Sequence, residues 1–207
     1  MAPVLLANVV TDVTDWLADF SANWWFLGII AVIAYLDSVV PIVPSETMVI
    51  IGGVAAGQGD QLLVLVIAVG AIGAFLGDNS AYLLGAHLRG FIERRAAKRP
   101  KSQLRLDWAA EQIRVRGGLL LITARFIPGG RTALTVSSGI TGQPRRWFVG
   151  WITVAVVIWA SYAALLGYVG GKTFEDNHTA AFLVAFGAAL GVTVLIEIGR
   201  QVRVRFR

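Results

Sequence analysis

Four charged side chains stand in stretches that are otherwise apolar. Arg125 and Arg131 flank the turn in "ARFIPGGRT" (124–132), between "GGLLLIT" and "ALTVSSGI". Glu46 follows "VPIVPS", and Asp78 interrupts "GAFLGDNSAY". Two guanidinium groups brought together form a bidentate receptor for phosphate. A carboxylate in hydrocarbon is paired, wetted or protonated, which suits a proton relay. Six residues turn an unbroken helix by about 600°, so positions 125 and 131 would not share a face. A break at Pro128–Gly130 removes that constraint and lets both arginines point inward. Gly129 and Gly130 permit close backbone approach to a ligand, and helix N-terminal amides would add donors.

Each of these residues has a plainer role beside the chemical one. Glu46 fits the first turn of a helix capped by Ser45. The arginines could snorkel, or pair with Glu46. Asn79 is placed to orient Asp78. Asp60 belongs at the outer membrane edge as a boundary marker, and is a third proton-coupling candidate after Glu46 and Asp78. Asp37 borders the first Pro-rich segment and suits either role. Glu197 is most simply a partner for Arg200.

Other chemistries lack their residues. There is no cysteine, and His87 and His178 stand far apart, which excludes thiol chemistry and argues against a His-based metal site. "GGRTALTVSSG" lacks the lysine and spacing of a phosphate-binding loop. Ser45, Ser137 and Ser138 have no evident base beside them. The expectation is a non-enzyme without cofactor or metal.

The elements that must position these groups follow from hydropathy. The 207 residues are 56% hydrophobic and 15% charged, with a mean hydropathy of +0.68; ordinary soluble domains are about 25% charged. Residues 61–77 and 177–196 contain no Asp, Glu, Lys or Arg, and 147–174 contain only Lys172. Runs near 20 residues match a hydrocarbon core of about 30 Å. These features predict an all-α polytopic membrane protein. The first 20 residues hold Asp12, Asp15 and Asp19 and no Lys or Arg, so they do not read as a signal peptide.

Charge placement sets the expected topology. No Lys or Arg precedes Arg89; nine then fall within 89–116, followed by Arg145–Arg146 and a tail with Arg200, Arg203, Arg205 and Arg207. The positive-inside rule puts all three clusters in the cytoplasm, where anionic membrane lipids attract them. This explains the basic pI near 10.1 without nucleic acid as a partner. Segment 117–144 must then enter and leave on one side, and two crossings would need about 40 residues. It is predicted as a re-entrant hairpin with its tip near "IPGGR". Residues 147–170 cross outward, "GKTFEDNH" lies outside, and 179–199 return as a final transmembrane helix. Residues 61–86 form a crossing that ends inside. "SVVPIVPSETMVIIGGVAAG" is a second hairpin entering from the outside. Segment 24–36, with Trp16, Trp24 and Trp25 nearby, is an interfacial helix, a partly inserted one, or a crossing that uses its flanks.

The two halves echo each other. "GVAAGQ" (53–58) matches "GITGQ" (139–143), and "AYLLGAHLRG" (81–90) matches "AALLGYVGG" (163–171). With the hairpins entering from opposite faces, the expectation is an inverted repeat with two opposed re-entrant helical hairpins plus transmembrane helices. The functional site of such proteins lies where the broken segments meet. The whole chain, 1–207, reads as one membrane domain: a first repeat at 37–90, a basic amphipathic linker at 89–116 on the cytoplasmic surface, and a second repeat at 117–171. "GAIGAFLG" (70–77) has small-residue spacing for close helix packing, which serves the chain itself or a homo-oligomer.

Three blocks carry a family resemblance: "PIVPSETMVIIGGVAAGQG", "GAFLGDNSAYLLGAHLRG" and "RFIPGGRTALTVSSGITGQPRRWFVG". From about Asp37 to Trp159 the chain resembles the DedA family of membrane proteins, related to the SNARE-associated or VTT-domain group. The resemblance implies small integral membrane proteins with two re-entrant hairpins facing each other. It implies functionally required positions at Glu46, Arg125 and Arg131, with Asp78 at the acidic position of the second block. A further acidic position falls near Gln58 and Asp60. Bacterial members are linked to envelope integrity, polyprenyl phosphate recycling and dependence on the proton motive force, others to phospholipid translocation or lipid scrambling. The expected function is translocation of undecaprenyl or a related polyprenyl phosphate across the cytoplasmic membrane, coupled to protons. Arg125, Arg131, Gly129 and Gly130 would hold the headgroup, with Glu46 and Asp78 balancing it. The rival expectations are a phospholipid flippase or scramblase, a proton-coupled exporter of small cations, and a scaffold that transports nothing.

Overall fold

The computed structural model describes residues 2–40, 45–126, 130–174, 179–188 and 191. Every regular element among them is helical: α1 (Ala2–Ala22), α2 (Trp25–Val39), α3 (Ser45–Gln58), α4 (Leu63–Ala97), α5 (Pro100–Thr123), a 3-10 turn (Ala124–Phe126), α6 (Gly130–Ile140) and α7 (Arg145–Thr173), then α8 (Thr179–Ala188). Among the described residues, α4 and α7 are each long and apolar enough to cross a membrane. At 1.5 Å per residue, the 35 residues of α4 reach about 52 Å, beyond the hydrocarbon core alone.

Segment 24–36 falls in α2 from Trp25 onward, and α2 meets Asp12–Ala22 of α1 at a bend of 99°; the two together satisfy the length and hydropathy of a span only as a bent pair. The bend falls at Asn23–Trp24, where the carbonyls ending α1 need partners. Asn23 Nδ2 donates to the Asp19 carbonyl at 2.8 Å, and Gln61 Nε2 reaches the carbonyls of Ser21, Ala22 and Asn23 at 3.1, 3.2 and 3.0 Å. Phe20 packs edge-on against Trp25 (4.7 Å) and Phe26 (5.4 Å), holding the corner.

The basic run 89–116 is divided between two helices. α4 continues to Ala97, and α5 starts at Pro100 after Arg99 in an extended conformation (φ −140°, ψ 105°). Proline at a first helical position, with an extended residue before it, is what the ring's sterics require. α5 runs on through "GGLLLIT", where Gly117 and Gly118 leave room for the rings of Trp147 and Trp151.

The chain forms two compact units: residues 1–31, 44–70 and 160–207 make one, and residues 32–43 and 71–159 make the other. Both contain the same packing device. In the first unit, α3 lies against the last part of α7: a methyl group at Gly53 would collide with the Ala164 carbonyl, and one at Gly167 with the Ile50 carbonyl. In the second, α6 lies against α4: a methyl at Gly139 would meet the Tyr82 carbonyl, and one at Gly85 the Val136 carbonyl. Each contact is a reciprocal pair of glycines, three residues from the carbonyl that the opposite glycine receives. The sequence echo maps Gly53 onto Gly139 and Gly85 onto Gly167. The short helix α3 therefore packs on α7, and the short helix α6 on α4.

α3 and α6 also end alike. Gly59 N–H donates to the Ala56 carbonyl (3.3 Å) and Asp60 N–H to Ala55 (2.9 Å); Gly142 N–H donates to Gly139 (3.1 Å) and Gln143 N–H to Ser138 (3.0 Å). With φ of +93° at Gly59 and +69° at Gly142, these are two Schellman caps. α3, at 14 residues against 11 for α6, carries one more turn.

Candidate functional site

The second unit gathers four charged groups from four segments. Asp78 lies in α4, because the long apolar run carries it into the interior; its side chain is 0% exposed. Arg125 lies in the 3-10 turn that follows α5, 1% exposed. Arg131 is the second residue of α6 and Asp37 lies near the end of α2, at 10% and 17% exposure. The 3-10 turn ends at Phe126 and α6 begins at Gly130, and the arginines of both reach one carboxylate. Arg125 Nη1 donates to Asp78 Oδ2 at 2.5 Å, and Arg131 Nε lies 3.8 Å from Asp78 Oδ1. Arg131 Nη2 pairs with Asp37 Oδ2 at 2.9 Å.

Neighbouring contacts hold this network in place. The Trp159 ring, itself buried, faces the Arg125 guanidinium with its centroid 5.4 Å from Cζ. Thr132 Oγ1 donates to the Ser38 carbonyl at 3.1 Å, joining α6 to α2. Ser38 Oγ in turn donates toward the carbonyls of Ala34 (3.1 Å) and Ala74 (3.3 Å). Arg125 Nε and Nη2 have no hydrogen-bond partner among the described residues. Among the described residues, one edge of a buried guanidinium is thus uncommitted, while Asp78 takes the opposite nitrogen and Trp159 covers a face.

The other expected residues are placed as follows. Gly130 begins α6. Gly129 and Pro128 lie outside the described residues, as do Pro41–Pro44, His178, Glu197 and the arginine tail. Glu46 stands in the first turn of α3, in the first unit, behind the buried Ser45. It is within electrostatic reach of the Tyr162 phenol, in the same unit. Asp60 is exposed at the cap of α3, and Asn79 donates to the Phe75 carbonyl at 2.8 Å. Sequence reasoning left Asp37 open and did not single out Trp159 or Tyr162. Asp37 carried the one available signal, a carboxylate bordering a Pro-interrupted apolar segment.

The long apolar helices, the bent pair and the buried ion pairs together define a multi-pass helical protein of the bacterial inner membrane. Residues 43–169 match the VTT domain, and the chain belongs to that family, the DedA group of integral membrane proteins. The chain is 32% identical over 127 residues to the Inner membrane protein YohD of Escherichia coli, a match spanning 61% of this chain and 65% of that one. It is 23% identical over 177 residues to the Undecaprenyl phosphate transporter A of Bacillus subtilis, covering 85% of each chain. It is 29% identical over 171 residues to an uncharacterized membrane protein of Haemophilus influenzae, covering 80% of this chain and 79% of the other. No solved structure matches.

Proposed function

We propose that this protein translocates a lipid phosphate, with undecaprenyl or another polyprenyl phosphate as cargo, and that Arg125 and Arg131 receive its headgroup. The observation that carries this reading is the Nε–Nη2 edge of Arg125, 1% exposed and without a partner among the described residues, in a network that Arg131 shares. A guanidinium edge with two parallel N–H donors is the geometry that grips a phosphate. The backbone at Gly129–Gly130 and the first amides of α6 supply further donors. A phosphate charge does not cross hydrocarbon unaided, so a polar passage is the physical requirement. A relative named for undecaprenyl phosphate transport matches across 85% of its length, which supports the choice of cargo.

In this reading the chain is one membrane domain built as an inverted repeat, with two re-entrant hairpins entering from opposite faces. The first repeat covers 37–90 and the second 117–171, with the basic run between them on the cytoplasmic surface. The duplicated glycine pairs and caps support the repeat. Asp78 balances the arginines. Glu46, with Tyr162 beside it, and Asp60 are proton-handling positions on the other unit. Coupling to protons returns the site to its starting charge after each turnover.

The test is transport in reconstituted vesicles. Undecaprenyl phosphate should move across the bilayer, and Arg125→Ala or Arg131→Ala should lower the rate at least about tenfold with folded protein retained. Competing phospholipids identify the cargo: preference for a phospholipid would make the protein a phospholipid flippase. Normal transport by both alanine variants would sink the clamp. For topology, single cysteines are introduced at positions 59 and 128 of the cysteine-free chain. Labelling of position 59 from the cytoplasm alone would refute the opposed hairpins.

A further inference from the structure

α4 ends in a group of cations that the site above does not use. Arg94, Arg95, Lys98 and Arg99 line one cavity of about 430 Å³, with Phe91 beside them and no acidic residue in its wall. Among the described residues none of the four makes an ion pair. The neighbouring carboxylate, Glu93, is already paired with Arg89 at 2.8 Å. Arg94 Nε donates to the Gly90 carbonyl at 3.0 Å, which fixes that guanidinium in the wall.

Helix dipoles account for part of this cluster. Arg94 and Arg95 stand in the last turn of α4, where a cation meets the negative end of the dipole. Arg99 stands in the opposite position. It is the N-cap of α5, without a side-chain cap bond, and the first turn of α5 holds no acid. A cation is unfavourable at that end by the same rule, and a guanidinium has no acceptor for the free amides. An anion in the cavity would answer the four side chains and the opening amides of α5 together.

The face of α4 that leads to the cavity says what kind of anion fits. Leu84, Leu88 and Phe91 are exposed, and they recur at i, i+4 and i+7, with Arg95 at i+11 on the same face. They lie on a helix long enough to cross a membrane. From Leu84 to Phe91 the strip runs about 10 Å along the helix. An apolar strip that ends on a cationic hollow complements an amphiphile, with its tail on the strip and its head in the hollow. A nucleic acid or a free polyanion would use the cations and leave the strip uncovered.

We propose that the junction of α4 and α5 is a binding site for an anionic phospholipid. Its headgroup lies among Arg94, Arg95, Lys98 and Arg99, and an acyl chain follows Leu84, Leu88 and Phe91. Arginines grip phosphate in pairs, and four cations suit a headgroup with two phosphates better than one with a single phosphate. Cardiolipin is therefore the favoured lipid. Bound there, it bridges the end of α4 and the start of α5. This is one built site, beyond the general attraction of basic segments to an anionic leaflet, and it does not depend on what the arginines of the ion-pair network carry.

The test is native mass spectrometry of delipidated protein in detergent, titrated with cardiolipin, phosphatidylglycerol or phosphatidylcholine and read as the fraction carrying one lipid. Cardiolipin should bind at least about tenfold more tightly than phosphatidylcholine, with phosphatidylglycerol between them. Equal affinity for phosphatidylcholine overturns the proposal, and equal affinity for phosphatidylglycerol overturns the assignment of two phosphates. Arg95→Gln/Lys98→Gln should weaken cardiolipin binding at least about tenfold. Arg114→Gln/Arg116→Gln removes the same charge elsewhere on α5 and should change it less than about twofold. Equal weakening by the two pairs reduces the site to general surface charge and overturns it. If the first pair does not fold, Lys98→Gln against Arg116→Gln decides by the same contrast, at about threefold. Phe91→Ser should weaken cardiolipin several-fold and leave inorganic pyrophosphate, a head without tails, unchanged; pyrophosphate binding as tight as cardiolipin overturns the lipid assignment. Tighter binding of farnesyl phosphate, a short polyprenyl monophosphate, overturns it in favour of a cargo site, and tighter binding of a single-stranded oligonucleotide overturns it in favour of nucleic acid.

Discussion

The Arg125–Asp78 pair gives the sharpest prediction. Both side chains are at most 1% exposed, so water cannot replace either partner when the other is removed. Breaking a buried pair from one side costs about 3–5 kcal/mol, because it strands a charge. Asp78→Asn strands Arg125 and weakens the hold on Arg131; Arg125→Gln strands Asp78, leaving it, among the described residues, Arg131 at 3.8 Å. Each single variant should fall in that range. For a chain of this length, that lowers the unfolding midpoint by roughly 6–20 °C. The double variant Asp78→Asn/Arg125→Gln buries no charge from the pair, and should be more stable than the summed singles by about 1–3 kcal/mol. The assay is thermal unfolding in detergent followed by intrinsic fluorescence of the seven tryptophans. Singles that lose less than about 1 kcal/mol, or a double variant that merely adds them, would show that the pair is solvated and that the electrostatic reasoning fails.

Two further outcomes follow from the packing. Alanine at Gly53, Gly85, Gly139 or Gly167 sets a methyl group against a facing backbone carbonyl. Each should cost about 1–3 kcal/mol or depress folded yield, whereas alanine at Gly28 or Gly150, where a methyl meets nothing within 4 Å, should be tolerated. Equal yields across the two sets would refute the glycine register. Trp159→Leu removes the aromatic face from Arg125 while keeping apolar bulk. It should weaken farnesyl phosphate binding by roughly 0.5–2 kcal/mol with little loss of fold, and Trp159→Phe should restore part of it; unchanged binding by the leucine variant would remove Trp159 from the site.

Hydropathy pointed to a helical membrane protein, and charge order to an expected topology, from local sequence alone. Apolar runs long enough to span hydrocarbon are a local property, and so is the clustering of Lys and Arg after residue 88. The expectation of a break between Arg125 and Arg131 is equally local, since proline and paired glycines act on their own backbone. Short echoes were visible around Gly53 and Gly139, and around Gly85 and Gly167. Their meaning was not, because the glycines matter through carbonyls more than 50 residues away. Partner choice was beyond sequence for the same reason. Glu46, Asp37, Asp60 and Asp78 are all carboxylates near apolar segments, and only distance in the folded chain separates them. Tertiary structure put Asp37 and Asp78 on the arginines and Glu46 in the other unit with Tyr162. Composition decides that a buried cation needs an anion; which anion it meets depends on how α2, α4 and α6 pack.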